Sequence, residues 1–518
     1  MSVTFLGAAQ NVTGSSYAVD VDDTTVLVDC GLYQERSLRD RNWAAFPVSP
    51  ARIKAVLLTH AHLDHCGLLP KLVREGFRGK VYCTPATAEI VQIVLLDSAK
   101  IHEEDALHKA KRHAKEGRRG PHPEVPLYTI RDAEVVLPLL TPVAYGTPVP
   151  VASGIKASFF EAGHILGSAM IKLDLSPEAG RLLFPLPGER VRVRGFRRDL
   201  PSPRPSPQGE GVTLKCPCMD LGAAPAALAA VVERTILFTG DLGRCHLPIL
   251  RDPAACRSAD YVVMESTYGD RVHEATEDIP DALARILNAT RQAGGKVVIP
   301  AFAIERTQEL IYYLSALLRA KKIPRLPVFL DSPMAIRVTE VFNRHKELFD
   351  EEAKALMGQG NEPYAFPGMT LTSRVEESKA INKVRGAAVI IAGSGMCNGG
   401  RIKYHLVNTI GKPENTILFV GYQAMGTLGR EILDGAKKVR ILGQWHPVRA
   451  RIEQLLGFSA HADQEELLTW LKSCTQPPRH IFVTHGEAAT ALAFAALVQE
   501  KTGWSASAPA YNQREVLA

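Results

Sequence analysis

The sequence lacks the features that would place the chain in a membrane or export it. No apolar run is long enough to span a bilayer, and the opening residues, M-S-V-T-F-L-G, contain no basic segment followed by an apolar one, so no secretory signal is expected. The nine cysteines are scattered, with Cys216 and Cys218 as the one close pair, which offers too few ligands for a structural zinc site. An odd number of cysteines without a framework predicts reduced thiols rather than disulfides, and a cytoplasmic location.

Length and composition predict a globular protein with more than one domain. A chain of 518 residues is too long for one ordinary core, so we expect two domains and an insertion. Hydrophobic residues make up 46% and charged residues 22%, as in folded proteins. The net charge of +6 permits a polyanionic partner but does not require one.

A histidine-rich stretch organises the sequence. Thr59–His65 reads T-H-A-H-L-D-H and follows an apolar run, Ala55–Leu58, that predicts a buried strand. A continuous helix would spread these side chains around its circumference, whereas a loop after a strand gathers them around one point. Zinc and similar divalent ions take imidazole nitrogens and carboxylate oxygens as ligands. The stretch therefore predicts a metal site. The alternative, histidines that only cap and pack a loop, needs four matched positions to coincide by chance.

Further candidate ligands also lie at or just beyond the ends of predicted strands: Asp29, His164, Asp241, Glu265, His461 and His485. Loops at the carboxyl ends of strands converge while the sheet holds them rigid, so functional sites gather there. Asp29 has two interpretations. It could cap the next turn, or it could accept an N–H from a metal-bound imidazole and fix its tautomer, and the neighbouring histidines favour the second. In contrast, His102, His108 and His113 lie on a long predicted helix among Glu and Lys, and we expect them on a solvated face.

Residues 176–233 differ from their surroundings. Leu186–Val212 is rich in Pro, Gly and Arg and poor in apolar residues, so it cannot bury enough surface to offset the entropy of ordering, and a mobile surface insertion is expected. A basic arm that grasps RNA is one interpretation. The tract also resembles translated palindromic genomic repeats, and an accidental insertion is the interpretation we prefer.

From Asp278 onward the pattern becomes a regular alternation of helices and strands, which predicts crossover units on a parallel sheet and hence a second domain. This part contains G-S-G-M-C-N-G-G-R at Gly393–Arg401, between a predicted strand and a predicted helix. Glycine-rich turns that open a helix present backbone N–H groups to anions, although many are simply tight turns.

Taken together, these motifs resemble a known family. T-H-A-H-L-D-H with Asp29, His164 and Asp241 resembles the metallo-β-lactamase superfamily. M-E-S-T-Y-G-D at Glu265, F-S-A-H-A-D at His461 and V-T-H-G-E at His485 resemble the extra motifs of its β-CASP branch, the nucleic-acid-processing nucleases. The resemblance implies an α/β fold, an αββα sandwich with an inserted α/β domain. The implied division is 1–271 for the metallo-β-lactamase domain, 272–445 for the β-CASP domain and 446–518 for the segment that completes the first domain.

The resemblance also implies two zinc ions and the residues that bind them. One ion would be held by His60, His62 and His164, the other by Asp64, His65 and His485. Asp241 would bridge the two ions, and Asp29 would orient a ligand.

Two divalent ions about 3.5–4 Å apart can activate a hydroxide and neutralise phosphorane charge during in-line attack. The leaving oxygen then needs a proton, for which His461 is the candidate, with Glu265 holding its ring and raising its pKa. The expected catalytic residues are therefore His461, Glu265, Asp64 and Asp241. Candidate phosphate contacts are Ser394, Ser459 and Arg401, with Arg306 and Arg430 as further options that could equally be surface arginines.

The resemblance implies single-stranded RNA as substrate, for a protein that could form a homodimer and needs no membrane. Internal cleavage is the preferred interpretation, and removal of nucleotides from the 5′ end stays open beside it. Two alternatives stay open at this point. A small-molecule hydrolase of the glyoxalase II or lactamase kind would share the metal motif but would not need the second domain. A non-catalytic RNA-binding subunit of the same fold would typically have lost metal ligands, and none is missing here.

Overall fold

The computed structural model describes residues 1–117, 122, 124–177, 233–256, 258–273, 278–455 and 457–518. The predicted insertion at 176–233 lies almost wholly outside these ranges, so its mobility stays a prediction. Within the described part of the chain, no helix is both long and apolar enough to cross a membrane.

The described residues form strands and α-helices that alternate along most of the chain. The strands are Ser2–Gly7 (β1), Ser16–Val21 (β2), Thr24–Val28 (β3), Ile53–Leu57 (β4), Lys80–Cys83 (β5), Leu140–Pro142 (β6), Val149–Ala152 (β7), Ile155–Glu161 (β8), Ala169–Leu175 (β9), Arg234–Phe238 (β10), Tyr261–Glu265 (β11), Lys296–Pro300 (β12), Val328–Asp331 (β13), Met369–Leu371 (β14), Ala388–Ala392 (β15), Thr416–Phe419 (β16), Lys438–Ile441 (β17), Gln444–Pro447 (β18), Arg451–Gln454 (β19), His480–Thr484 (β20), Ala506–Ser507 (β21) and Arg514–Val516 (β22). The α-helices are Leu63–Cys66 (α1), Leu69–Arg74 (α2), Pro85–Glu116 (α3), Ile130–Val136 (α4), Ile279–Gln292 (α5), Arg306–Arg319 (α6), Pro333–Arg344 (α7), Glu351–Gly358 (α8), Val375–Ile381 (α9), Ile402–Thr409 (α10), Leu428–Leu433 (α11), Gln464–Lys472 (α12) and Ala488–Thr502 (α13).

Two seven-stranded sheets pack face to face. Their strand orders are β22-β1-β2-β3-β4-β5-β6 and β21-β20-β11-β10-β9-β8-β7. Alternate side chains of both sheets, including Phe5, Val26, Phe159 and Phe238, form the apolar core between them. The opposite faces are covered by helices. Residues of α2, α3 and α4 pack on the first sheet, and residues of α12 and α13 pack on the second. The predicted αββα sandwich is confirmed.

The second domain is a six-stranded sheet in which every pairing is parallel, in the order β14-β13-β15-β12-β16-β19. Residues of α5, α6 and α7 cover one face, and residues of α9, α10 and α11 cover the other. The predicted crossover units are therefore present. Because β19 (Arg451–Gln454) pairs with β16, the last strand of this sheet lies beyond the predicted boundary at 445/446. The division of the chain into 1–271, 272–445 and 446–518 stays a prediction.

The parallel parts of the two sandwich sheets bring the site together. β3, β4, β5 and β6 are mutually parallel in the first sheet, and β10, β11, β20 and β21 are parallel in the second. The loops that follow β3, β4, β10, β11 and β20 therefore leave the sandwich at one edge and carry the candidate residues.

Two expectations from the sequence are wrong. Cys256 and Cys474 form a disulfide, although scattered cysteines predicted only reduced thiols. The two residues are 218 positions apart in the chain, so only the fold brings them together. His113 is buried, not solvated, with its Nδ1 2.6 Å from Glu124 Oε1. His102 is half-buried against the ring of Tyr128, and His108 is exposed as expected.

Candidate metal centre

The histidine-rich loop gathers one group of donor atoms. Because β4 ends at Leu57 and α1 starts at Leu63, His60 and His62 lie in the turn between them and face one point. His60 Nε2 lies 3.0 Å from His62 Nδ1, which lies 3.3 Å from His164 Nε2. His164 comes from the loop between β8 and β9, where its N–H donates to Ser168 Oγ.

A second group lies beside the first. His65 Nε2 is 3.2 Å from His485 Nε2, and His485 Nε2 is 3.7 Å from Asp64 Oδ2. Two backbone hydrogen bonds fix the residues that carry Asp64 and His65. The Cys30 N–H, just after β3, donates to the His65 carbonyl, and the Ser15 N–H, just before β2, donates to the Asp64 carbonyl.

Asp241 lies between the two groups. Its Oδ2 is 3.4 Å from His60 Nε2 and 3.6 Å from His164 Nε2. Its Oδ1 is 3.2 Å from His65 Nε2 and 3.4 Å from His485 Nε2. The turn that presents Asp241 depends on Gly240, which has φ +55°, and a Cβ there would lie 2.6 Å from the Thr59 Cβ. One carboxylate therefore faces both donor groups.

These contacts suit cations. His62 Nδ1 faces the Nε2 atoms of both His60 and His164, and the ligand atoms of these three imidazoles and Asp241 all lie within 4.8 Å of one another. Asp241 Oδ1 is buried and makes no hydrogen bond in the described structure. A buried carboxylate oxygen without a donor is costly unless a cation neutralises it. The two groups could each hold a divalent ion with tetrahedral N and O ligands.

The protonation states of the first donor group agree with metal binding. Burial lowers the pKa of His62 to about 4, and it holds the pKa values of His60 and His164 well below the ordinary range. These imidazoles are thus neutral, the form that coordinates metals.

In the second group, burial lowers the pKa values of His65 and His485, but the Asp241 charge outweighs it and raises both, so these two rings must lose a proton when a metal binds. Burial opposes ionisation of Asp64, but a hydrogen bond from His485 and the charges of nearby histidines lower its pKa to about 2.

A surrounding layer of hydrogen bonds orients the rings. Asp29 Oδ2 lies 2.8 Å from His65 Nδ1, and the same carboxylate accepts from the backbone N–H and hydroxyl of Thr59. Thr267 Oγ1 lies 3.0 Å from His485 Nδ1. Asp29 and His485 both adopt positive φ, 59° and 51°, a conformation that non-glycine residues rarely take outside constrained sites. The sequence indicated Asp29 but not Thr267, which only its place two residues after Glu265 could have suggested.

A carboxylate–imidazole pair borders the donor groups. Both oxygens of Glu265 lie 3.3 Å from His461 Nδ1, and Asp241 Oδ2 lies 3.9 Å from the same nitrogen. Glu265 Oε1 also accepts from the Leu242 N–H, which fixes the carboxylate. Burial lowers the pKa of His461, but the Glu265 and Asp241 charges outweigh it and raise the pKa to about 9. His461 is therefore a protonated ring whose Nε2 is free of these contacts.

Comparison with known families gives three matches along the chain. Residues 10–166 match the metallo-beta-lactamase superfamily, residues 307–432 the Beta-Casp domain, and residues 445–509 the Zn-dependent metallo-hydrolase RNA specificity domain. Ribonuclease TTHA0252 of Thermus thermophilus is 37% identical over 498 residues, which covers 96% of each chain. The chain belongs to the β-CASP branch of the metallo-β-lactamase superfamily.

Archaeal proteins are also similar to this β-CASP chain. Transcription termination factors FttA of Methanocaldococcus jannaschii and Methanosarcina mazei are 29% and 28% identical to it. The matches cover 96% of this chain and 68% and 69% of theirs. Membership of this superfamily, together with the converging donors, implies a metal cofactor.

Two predicted phosphate contacts of the β-CASP domain, Ser394 and Arg401, differ in their hydrogen-bond partners. Ser394 lies in the glycine-rich loop between β15 and α10, as expected, and its Oγ accepts from the Gly399 N–H. The guanidinium of Arg401 donates to Asp331 Oδ1 at 2.7 Å and to the carbonyls of Thr372 and Ser373. That engagement favours a structural role for Arg401 over contact with a phosphate.

The remaining candidate phosphate contacts also differ: the two arginines are paired with carboxylates, whereas the serine lies near His461. Ser459 precedes His461 by two residues, and its hydroxyl donates to the His461 carbonyl oxygen at 3.5 Å, which places it at the edge of the centre. Arg306 Nη1 pairs with the buried Glu309, and its guanidinium lies over the ring of Phe458. Arg430 is ion-paired with Asp434. Of these, Ser459 lies beside the Glu265–His461 pair.

A further cluster of potential ligands has a structural explanation. His273, Asp463 and Glu466 offer atoms close to one another. Asp463, however, caps α12 by accepting from the N–H groups of Glu465 and Glu466, while Glu466 accepts from the Asp463 N–H. His273 Nε2 lies 3.1 Å from the His461 carbonyl oxygen. This cluster fixes the backbone that carries His461.

Proposed function

We propose that this β-CASP protein is a ribonuclease that uses two zinc ions to hydrolyse phosphodiester bonds inside single-stranded RNA. Its relatives include a protein named as a ribonuclease, and one matching family is named for RNA specificity. The observation that carries the proposal is the position of Asp241, with a three-donor group on each side and the Glu265–His461 pair against the same carboxylate.

His60, His62 and His164 would hold one ion, and Asp64, His65 and His485 the other. Asp241 would contact both through its two oxygens, and Asp29 would fix the ring of His65. When bound, the ions supply Lewis acidity at the phosphate and lower the pKa of coordinated water. Asp64 and Asp241 carry negative charge that offsets part of the charge of the cations, so they count among the catalytic residues.

His461 would donate a proton to the leaving oxygen of the RNA. Its Nδ1 faces Glu265, which leaves Nε2–H to point at substrate. The Glu265 carboxylate keeps the imidazole charged and oriented, so the proton is present at neutral pH. A 3′ or 5′ alkoxide is a poor leaving group, and protonation by a positioned histidine typically contributes ~10²–10⁴-fold in rate.

The second domain supports a polymeric substrate. Its carboxyl-edge loop with Ser394 and the Ser459 segment offer N–H and hydroxyl donors to phosphates on either side of the scissile bond. A small-molecule hydrolase would gain nothing from a six-stranded domain placed against the centre. Binding of several nucleotides positions one phosphodiester for attack.

The test uses two RNAs of the same sequence, one linear and 5′-labelled and one circular. Wild type is compared with His461→Ala and with His246→Ala, a variant of an exposed histidine outside the centre. Metal content is measured on all three. We expect wild type and His246→Ala to open the circle, and His461→Ala to keep about two zinc ions but to be slower by ~10²-fold or more.

Three outcomes would contradict the proposal. Trimming of the linear RNA with an intact circle excludes internal cleavage. Hydrolysis of a thioester or a β-lactam by metal-loaded protein that leaves both RNAs intact favours a small-molecule hydrolase. RNA binding without any hydrolysis favours a non-catalytic subunit.

A further inference from the structure

A two-stranded ribbon of the second domain carries an unusual solvent face. It consists of β17 and β18 with their flanks, residues 437–451, which we call the basic hairpin. The two strands pair antiparallel, with Arg440 opposite Trp445 and Lys438 opposite Pro447. Val439 and Ile441 point the other way and are buried in the apolar core with residues of α10 and α11. Because side chains alternate along a strand, Lys438, Arg440, Trp445 and Pro447 all face solvent.

The exposed face is apolar at its centre and cationic around it. Trp445 is 60% exposed, and the Lys438 Nζ lies 5.2 Å from its ring centroid. Leu442, at the turn, is 50% exposed. Residues 435–452 contain five Lys or Arg and no Asp or Glu. The preceding acid, Asp434, is already paired with Arg430 at 2.8 Å. The positive field of the hairpin is thus not neutralised by acids within its own segment.

We propose that the basic hairpin is a second RNA-binding site, on which a nucleobase stacks on Trp445 while neighbouring phosphates contact Lys438 and Arg440. The inference rests on the proposed function in taking RNA as the ligand. Every base has a π-face that can stack on an indole, and closely placed cations match the phosphates on either side of it. The contacts read no base edges, so the site binds single strands with little regard to sequence.

Charge argues against a second copy of the chain as the occupant. A two-fold dimer through this face would bring Lys438 and Arg440 of both copies into one interface. The same cations that would repel a second copy attract a polyanion, and each phosphate contact adds binding free energy because it releases counterions.

The hairpin lies away from the metal centre. The N–H groups of Arg449 and Ala450 donate to the Ile410 carbonyl, and the Arg451 N–H donates to the Asn415 carbonyl. These contacts place the base of the hairpin where β16 and β19 begin, whereas the Ser394 loop follows the opposite, carboxyl edge of the same parallel sheet. Only an RNA long enough to run from one edge to the other can use both sites.

This separation makes the proposal testable with substrates of two lengths. The variants are Trp445→Ala, Trp445→Phe, the double variant Lys438→Gln/Arg440→Gln, and the control Leu492→Ala, which removes a side chain of similar exposure on α13 of the sandwich. Binding is measured by fluorescence anisotropy with 2′-O-methyl RNA, and kcat and KM are measured with cleavable RNA. Each assay uses RNAs of two lengths, about eight and about forty nucleotides.

For the long RNA, we expect Trp445→Ala to raise both Kd and KM by about tenfold with kcat unchanged, while Trp445→Phe stays within about threefold of wild type because it keeps a stacking ring. The double variant should bind the long RNA more weakly and with a smaller salt dependence. The short RNA and Leu492→Ala should behave as wild type.

Two results would overturn the proposal: the same Kd for the long RNA in wild type and Trp445→Ala, or a wild-type dimer in sedimentation experiments that Trp445→Ala abolishes. The binding assay needs no cleavage, so failures can be told apart. If no RNA is cut but binding still depends on Trp445, the proposed function fails and the second site stands. If RNA is cut but Trp445→Ala changes neither Kd nor KM, the second site fails and the proposed function stands.

Discussion

At the scale of single residues, Asp241 connects the parts of the candidate centre. Its two oxygens face different donor groups, and Oδ2 also lies 3.9 Å from His461. A cation on either side therefore changes the field that the other cation and the Glu265–His461 pair experience. The effects of substitutions around Asp241 on the cleavage rate should therefore be strongly coupled and not additive.

Replacing Glu265 by Gln should move the pH dependence of cleavage. His461 must be protonated to act as an acid, so kcat falls as pH rises through its pKa, which Glu265 raises to about 9. Without that carboxylate the pKa drops, and the loss of activity should begin at lower pH than in wild type. A pH series of single-turnover rates checks this, with Glu134→Gln, which changes an exposed carboxylate of α4, as control. An unchanged basic limb would contradict the role of Glu265.

Replacing Asp29 by Asn should weaken metal binding without removing a ligand. The carboxylate lies 2.8 Å from His65 Nδ1 and keeps Nε2 available as a donor. Loss of such a partner typically costs ~10–100-fold in metal affinity. Competition with a zinc chelator measures the change, and Asp23→Asn, on the exposed turn before β3, is the matched control. Equal zinc affinity in both variants would show that Asp29 only caps its turn.

The sequence predicted most of the candidate centre because its residues follow strands. A strand exit can be identified from an apolar run and a change to polar residues, and parallel strands send their exits to one edge. The contacts of Thr267 and Arg401 could not be predicted, since their partners, His485 and Asp331, are distant in sequence. The solvated position predicted for His113 was wrong for a similar reason, because Glu124, eleven residues further along the chain, contacts its ring.

At the scale of elements, the disulfide joins the loop before β11 to the end of α12. Cys256 and Cys474 are buried in the core that α12 and α13 form on the second sheet. α12 begins at the Asp463 cap, two residues after His461. The disulfide therefore constrains the helix that follows the candidate acid. Cysteine spacing could not predict it, because 218 residues separate the partners.

Replacing both disulfide cysteines by serine should destabilise the protein by about 2–5 kcal/mol, because the cross-link restricts the unfolded chain. Denaturant unfolding under non-reducing conditions measures the change. Cys245→Ser, which removes an exposed free thiol, should have little effect. If wild type and the double variant unfold at the same denaturant concentration, the disulfide does not support the fold.

The buried strand predicted at Ala55–Leu58 is confirmed as β4, which runs from Ile53 to Leu57. The strand β19 ends at Gln454. Apolar residues continue to Phe458, but Phe458 packs against Tyr313 and Arg306 of α6 instead of extending the sheet. Local apolarity predicts burial, and tertiary contacts decide the element.

At the scale of the whole molecule, residues 178–230 should be dispensable. Leu175 of β9 already pairs with Arg234 of β10, and Ser176 Oγ donates to Glu233 Oε1 at 3.0 Å. A short linker can therefore close this antiparallel pair. We expect the shortened protein to keep its melting temperature and to cleave RNA within about twofold of wild type, as long surface insertions cost little to close or remove. A folded variant with a severe loss of cleavage would favour the RNA-grasping arm.

In the proposed mechanism, the two donor groups and His461 act together on one phosphodiester, and His461 supplies the proton to the leaving oxygen. The most direct test replaces that oxygen by sulfur, in RNAs with a 3′- or a 5′-bridging phosphorothiolate. A thiolate leaves without a proton, because a thiol has a pKa near ~8.5 and an alcohol a far higher one. We expect metal-loaded His461→Ala to lose ~10²–10⁴-fold in rate on the oxygen substrate but to cleave one sulfur substrate nearly as fast as wild type. An equal loss on oxygen and on both sulfur substrates would contradict the proposed mechanism.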